Sequence, residues 1–330
     1  MKGAMSDPLV IQLQTRDIDD DVDFEAVSYT WGYSHNAYVL ILQPESTTIK
    51  YQVTENLEMA LRRLRLQHVD RTLWVDAICI NQSDIEERSH QVGMMADIYR
   101  KAKRVVIWLG DDTDGTTQGM DMLRHFVQPT GTKFESPAYF THSFSHLFAP
   151  LSTMTRSNGE THFVNDIQES IQCVLSKAWF SRVWTVPEAV LSQRAMIQCG
   201  ENSVEWTNDF QELRKIRVRV KSAVVSPQWE KIFGDHQVDL TPFLHLIEAQ
   251  LREVALRNDI PVPEKDLLDI MYDFRHRQAS DPRDKIYAML GLAQHKKVQV
   301  RVDPNYSETV EEVYKKLDNA LEELYKDLNL

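Results

Sequence analysis

"TLWVDAICINQSDIEERSHQVGMMADIYRKAKRVVIWLG", residues 72–110, decides the fold class. It opens on a nearly continuous apolar run, "TLWVDAICI", of the kind that lies buried on both faces in a parallel sheet. It closes on a second such run, "KRVVIWLG". Between them Ser83 and Glu86 stand in capping-box spacing and predict a helix start. Ile85, Val92, Met95 and Tyr99 then fall on one helical face. Two apolar strands joined by an amphipathic helix make a βαβ unit with a right-handed crossover. The predicted class is α/β, with a mainly parallel central sheet flanked by helices.

Upstream, "PLVIQLQ" (8–14) and "EAVSYTW" (25–31) are strand-like, rich in β-branched and aromatic residues. "TENLEMALRRLRL" (54–66) puts Leu57, Ala60, Leu61 and Leu64 at i, i+3, i+4 and i+7, with Thr54 as the cap. Downstream, residues 111–165 lose the pattern. "DDTDGTTQG" and "STMTRSNGETH" read as a loop-bearing insertion with short helical pieces. Asp166 and Glu169 start a further helix whose Ile167, Ile171, Val174 and Leu175 face inward. "RAMIQCG" (194–200) is a short strand ended by glycine.

From about residue 207 the chain reads as mainly helical. In "SDPRDKIYAMLGLA" (280–293) Asp281 is placed as N-cap, Pro282 as first helical residue and Gly291 as the stop. The organisation expected is an α/β domain over 9–206 with the insertion at 111–165, then a helical extension over 207–330 packed on it. Residues 1–8, "MKGAMSDP", read as a cloning remnant. "ALEELYKDLNL" stops inside a helical pattern, as the front portion of a longer protein would.

The 330 residues are 42% hydrophobic and 26% charged, the profile of a globular protein with a substantial core. A net charge of −12 argues against a nucleic-acid binder held by phosphate neutralisation. Three cysteines, Cys79, Cys173 and Cys199, supply neither a disulfide framework nor metal-ligand spacing, so a reducing, cytoplasmic compartment is expected. No apolar stretch approaches the roughly 20 residues needed to span a bilayer.

Candidate site residues stand out against that background. Asp76 is the only charge in "LWVDAICI", where a carboxylate must be paired, hydrogen-bonded or set at the strand's end. It is either a structural ion-pair partner or a ligand contact. In open parallel sheets ligands bind beyond the C-terminal strand ends, where Asn81 and Gln82 would also sit. "SYTWG" brings Trp31 and Gly32 out of a buried strand; glycine admits close backbone approach and tryptophan offers a stacking face. Core packing is the alternative for Trp31. "WFSRVWTVPEAVLS" (179–192) places Pro187 in the first turn of a helix and Glu188 where the positive helix end favours an anion. That suffices structurally for Glu188, but it leaves Trp179, Arg182 and Trp184 unexplained. Arg182 is either a functional cation or the partner of Glu188 or Asp76.

Weaker signals complete the set. His142 and His146 in "HSFSH" stand at i, i+4 but lack the glutamate of a zinc hydrolase, and no metal site is expected. The basic run "LRKIRVRVK" (213–221) reads as a solvated face. GxGxxG, P-loop and GxSxG patterns do not occur.

Three of these strings, in order over about residues 24–200, resemble the fungal heterokaryon-incompatibility (HET) domain: "FEAVSYTWG", the 73–110 stretch, and "WFSRVWTVPEAVLS". "DPRDKIYAMLGLA" and "VDPNYSETVEEVY" are similar to segments that follow this domain in many fungal proteins. The resemblance implies a role in the cell-death reaction that follows fusion of genetically unlike cells. It also implies a distant likeness to Toll/interleukin-1 receptor (TIR) domains, several of which hydrolyse NAD through a glutamate in a "W-C-x-x-E-L" motif.

Trp184 and Glu188 stand four apart as in that motif, with Thr185 for cysteine, Ala189 for leucine, and Pro187 where HET sequences usually carry Gln. By that resemblance Glu188 is the catalytic carboxylate, kept ionised by the helix start. It stabilises an oxocarbenium-like transition state as the nicotinamide–ribose bond breaks. Trp31 or Trp184 would stack on nicotinamide and Arg182 would meet a phosphate. Asp76, Asn81 and Gln82 would line the cleft, with NAD as substrate and no cofactor. Activity would depend on a homo-oligomer, and a regulatory protein or NLR-like sensor is a further partner. The alternative is a non-catalytic death-signalling module acting by self-association or recruitment.

Overall fold

In the computed structural model the described residues are 2–32, 36–42, 48–113, 115–127, 170–224, 239–263, 265–293, 300 and 302–327. The strands in chain order are β1 Val10–Ile11, β2 Glu25–Ser28, β3 Asn36–Leu42 and β4 Thr48–Thr54, then β5 Leu73–Trp74, β6 Arg104–Trp108, β7 Ala195–Cys199 and β8 Asn202–Trp206. The central sheet has the order β5-β2-β6-β7-β8. Its first four strands are parallel, and β8 returns antiparallel beside β7. The chain thus reaches β5 on one side of β2 and then crosses to β6 on the other. That reversal puts a topological switch point at the C-terminal ends of β2 and β6.

Alternation along the strands divides the core in two, because successive side chains point to opposite faces. Val105 and Ile107 of β6 join a large cluster on one face, while Val106 and Trp108 join a smaller one on the other. The smaller cluster is closed by α1 (Glu55–Leu64), which buries Leu57, Ala60, Leu61 and Leu64 as the spacing predicts. Thr54 caps this helix by accepting the Leu57 N–H at 3.4 Å.

A second, three-stranded sheet in the order β1-β3-β4 lies over the same face. The composition of "PLVIQLQ" predicts a longer strand than the one that forms, and the β3–β4 hairpin is a further element not predicted from the sequence. β1 covers only Val10–Ile11, parallel to β3. Residues 2–8 lie against α1: Arg62 donates to the Met5 and Asp7 carbonyls at 2.8 Å each, and Arg65 donates to the Pro8 carbonyl at 3.0 Å.

The larger cluster gathers the remaining helices. These are α3 (Ile85–Lys101), α4 (Thr116–Val127), α5 (Thr185–Val190), α6 (Phe210–Val224), α7 (Thr241–Arg257), α8 (Leu267–Asp273), α9 (Asp284–Ala293) and α10 (Val310–Asp327). The helices beyond residue 207 therefore share one apolar core with the sheet. Helix α4 occupies the start of the segment read as an insertion. It crosses the helical turn at 170–175 so closely that a Cβ on Gly119 would stand 2.2 Å from the Ser170 carbonyl oxygen. Ile171, Val174 and Leu175 are buried as expected. Asp166, Ile167, Glu169, His142 and His146 lie outside the described residues.

Three local readings are corrected. The run "TLWVDAICI" is not one strand: β5 stops at Trp74 and a one-turn helix, α2 (Asp76–Cys79), follows. The cause is Asp76, whose carboxylate accepts the Ala77 N–H at 2.7 Å and so competes with a strand ladder. Asp84, not Ser83, caps α3 and accepts the Glu86 and Glu87 N–H groups at 3.0 and 3.1 Å. A carboxylate at a positive helix end outcompetes a hydroxyl there, and the Ser83 hydroxyl goes to Asn81 Oδ1 at 2.7 Å. Gly291 does not stop α9. It lies inside the helix, where a Cβ would stand 2.5 Å from Ala96 Cβ on α3.

β7 matches "RAMIQCG", and Gly200 closes it with φ +54°. Among the described residues no helix is long and apolar enough to cross a membrane.

Candidate active site at the strand ends

The end of β2 carries a serine where the pattern calls for a core residue. Ser28 shares its face with Ala26, is fully buried, and meets α5 there. It accepts the Trp179 indole N–H at 2.7 Å and donates its own hydroxyl to Glu188 Oε2. Trp179 lies in a 3₁₀ turn, Ala178–Ser181, just before α5. Thr185 ties this approach together, donating to the carbonyls of Trp179 at 2.8 Å and Arg182 at 2.7 Å. The glutamate is thus held by a donor that is itself oriented by a tryptophan.

Glu188 is only 5% exposed. Burial pushes its carboxyl up to about 7, against the Ser28 hydrogen bond and the Arg182 charge, which pull it down. The expectation that the helix start keeps Glu188 ionised is overturned. Helix α5 has only six residues, and desolvation outweighs what so short a dipole returns. Near neutrality the group is poised between its two forms, where a general acid or base works best.

Arg182 connects this carboxyl to the surface. Its Nη1 donates to the Tyr29 carbonyl at 2.8 Å, and its charge acts on both Asp76 and Glu188. Asp76, at the start of α2, is half-buried and accepts the Trp31 indole N–H at 2.8 Å. Burial raises the Asp76 carboxyl above its ordinary value, opposed by Trp31 and Arg182. The Tyr29 hydroxyl beside it is buried, and its pKa is raised by burial and by the Asp76 carboxylate. Trp31 is 37% exposed and is not a core residue. Gly32 follows with φ +75°, a backbone that L side chains resist.

The structure therefore brings Trp31, Gly32, Asp76, Arg182 and Glu188 to one strand end with Gln82 at its rim, and sets Asn81 and Trp184 apart. Gln82 reaches the rim, donating to the Asp76 carbonyl at 3.2 Å. Asn81 is exposed and spends its side chain on Ser83 in the turn before α3. Trp184 lines a cavity of about 260 Å³ between α3 and α9, together with Tyr99 and Pro187. Its hydrogen bond, with that of Tyr306, opposes the burial that raises Asp284.

Residues not singled out from the sequence complete the site. They are Ser28, Tyr29, Tyr99 on α3, and Asn56 on α1. Asn56 donates to the Thr30 carbonyl at 2.6 Å and accepts the Trp108 indole N–H at 2.9 Å, fixing the loop after β2. The one available signal was the buried polar pair in "AVSYTWG". Among the described residues no cluster of three or more metal-ligating side chains occurs.

The site's elements coincide with a known sequence family. Residues 24–188, half of the 330-residue chain, match the family Heterokaryon incompatibility protein (HET), and the match ends on Glu188. The chain is 27% identical over 349 aligned positions to heterokaryon incompatibility protein 6, OR allele, of Neurospora crassa. That alignment covers 97% of this chain and 50% of the relative, so the chain spans about half the length of the curated relative it matches. No solved structure matches it. With β2, α2, α3, β6 and the Ser28–Glu188 contact all inside the matched segment, the chain belongs to the heterokaryon incompatibility (HET) family.

Proposed function

We propose that the chain is an effector module of a fungal heterokaryon incompatibility reaction, and that it acts as a TIR-like hydrolase of a nucleotide N-glycosidic bond, with NAD as substrate. The observation that carries this reading is Glu188 itself. It is a carboxyl poised near neutrality, bonded to Ser28 at the C-terminal end of a parallel strand, and it shares the charge of Arg182 with a second, half-buried carboxyl, Asp76. In the reaction the bond between ribose C1′ and the nicotinamide nitrogen breaks, and nicotinamide leaves neutral with the electron pair. Water adds to the anomeric carbon and gives up its proton. The ionised form of Glu188 stabilises the developing oxocarbenium charge, and can afterwards take the water's proton. Exposed Trp31 would stack on the nicotinamide, Gly32 would let the ribose approach the backbone, and Arg182 would hold a phosphate.

A second reading rests on the burial of Glu188. A carboxyl with 5% exposure is closed to substrate, as in a non-catalytic module that signals by self-association. The two readings meet if assembly into a homo-oligomer, driven by a regulatory or sensor partner in the cytoplasm, draws Arg182 and Trp31 aside. The deciding experiment is nicotinamide release from NAD by concentrated, oligomeric protein beside its Glu188→Gln variant. Release by the wild type alone supports the hydrolase. No release from a folded oligomer rejects it in favour of the signalling module.

A further inference from the structure

The helical extension holds a cavity of about 380 Å³, bounded by α6, α7, α8 and the turn between the last two. Its size falls within the range of small-molecule sites. Its charges do not cancel locally. Of the three carboxylates at its wall, Glu248 is bound by Lys221 at 2.6 Å, Glu253 by Arg257 at 3.0 Å, and Asp273 by Lys265. That leaves Arg214, Arg217 and Arg252, none of which forms an ion pair with a described residue.

Two nitrogens in the wall are buried without a hydrogen-bond partner among the described residues: Arg252 Nε and His245 Nδ1. The His276 ring lies 5.3 Å from His245 at a tilt of 53°, and Arg277 beside it in sequence is wholly buried with two further nitrogens lacking a partner among the described residues. A chain of net charge −12 has therefore set Arg214, Arg217 and Arg252 around one cavity, with Arg252 in the field of nearby carboxylates, those of Glu253, Asp269 and Asp273. A buried polar group left unmet is destabilising, and a bound anion would satisfy the Arg252 Nε–H.

We propose that this cavity binds a phosphomonoester carried on a ring-bearing apolar body, at a site separate from Glu188. A phosphomonoester brings close to two negative charges and three acceptor oxygens. That matches the guanidinium groups of Arg214, Arg217 and Arg252 in one wall, where a lone carboxylate would satisfy one. Arg252 is half-buried in the cavity wall, with its Nη2 held by the Lys265 carbonyl at 3.1 Å and its buried Nε left to donate. Phe210, Phe274 and the His245 ring supply the faces for the body, His245 lying 6.3 Å from Phe274 in an edge contact. The basic run first read as a solvated face thus has Arg214 and Arg217 turned to the cavity, while Arg219 is buried and donates to the Phe126 carbonyl.

The test is calorimetric titration of the full chain with adenosine monophosphate, adenosine and inorganic phosphate. Both Arg214 and Arg217 reach solvent, so the double variant R214A/R217A should fold, which its melting curve verifies. The expected result is one saturable site for the monophosphate. Adenosine and phosphate alone should each bind at least tenfold more weakly, and the double variant should lose at least tenfold in affinity. R252M should do the same and guards against compensation by one arginine. Absence of saturable monophosphate binding overturns the proposal. So does binding that neither variant weakens, since the ligand would then sit elsewhere.

Discussion

Ser28 donates its hydroxyl to Glu188 across 160 residues of chain, joining the end of strand β2 to helix α5. The same oxygen accepts the Trp179 indole, so one small side chain satisfies two buried partners. Ser28→Ala leaves the Trp179 indole N–H unmatched in the core and strips the Glu188 carboxyl of one of its two hydroxyl partners, Tyr99 being the other. The expected cost is at least about 2 kcal/mol of unfolding free energy, one unmet buried donor plus one lost hydrogen bond to a carboxyl. The Glu188 carboxyl should also titrate higher, having lost the donor that favours its ionised form. Urea denaturation reads the first effect. A loss of less than about 0.5 kcal/mol would show that the contact is not made in solution.

Glu188 itself makes stability depend on pH. Its folded value, pushed up to about 7, lies above the 4.5 of an unperturbed glutamate. A carboxyl raised on folding contributes fully below the unfolded value, and that contribution is lost as pH rises through the folded one. Glu188→Gln removes the titration while keeping the shape. The variant should match the wild type near pH 4.5 and exceed it above pH 7.5, by on the order of 3 kcal/mol. Melting temperatures measured across that range decide it. A variant less stable at every pH would mean that Glu188 is an ordinary paired carboxylate.

Why these two residues differ in legibility is a matter of range. Glu188 stood out because a charge beside Pro187 and an apolar run is a local anomaly. Ser28 did not, since its role depends on a partner 160 positions away. The strand–helix–strand core was readable because its periodicity is local, and β2, β6 and β7 follow the apolar runs. Asp76 defeated the reading for the opposite reason. Its place in an apolar run marks it as a residue in need of a partner, but the run still reads as one strand, whereas its bond to the Ala77 N–H ends β5 and starts α2. Trp31 and Trp184 show the limit of composition. Both are tryptophans beside turns, yet one holds Asp76 at the surface and the other lines a cavity between α3 and α9.

Glu25 sets the acid limit at the other end of β2. Burial pushes its carboxyl up, but Arg71 and Arg104 more than reverse that, and the net value is lowered. Arg104 Nε lies 2.6 Å from the carboxylate and Arg71 binds its other oxygen. A lowered carboxyl contributes stability above its unfolded value of 4.5 and loses it as pH falls through the folded one. Glu25→Gln should therefore destabilise the protein at pH 7 by about 3 kcal/mol, because Arg71 and Arg104 both lose a carboxylate contact. The difference from wild type should shrink below pH 4. Equal acid and neutral differences would show that packing, not charge, is what the substitution removes.

The contact between α3 and α9 offers a test of the fold that is independent of any chemistry. Gly291 lies inside α9 with negative φ, so its backbone does not require glycine. What requires it is Ala96, whose Cβ would stand 2.5 Å from a Cβ at position 291. Gly291→Ala gains helix propensity of about 1 kcal/mol but forces two rigid helices apart, and overpacking of this kind costs about 1–3 kcal/mol. Ala96→Gly alone should destabilise through propensity and a small cavity. Combined, the two should restore the space, with a coupling of at least about 1 kcal/mol relative to the sum of the single effects. Because α9 carries Asp284, which Trp184 helps to hold, the same cycle reports whether the helical extension is docked on α3 as described. Additive single effects would place α9 elsewhere.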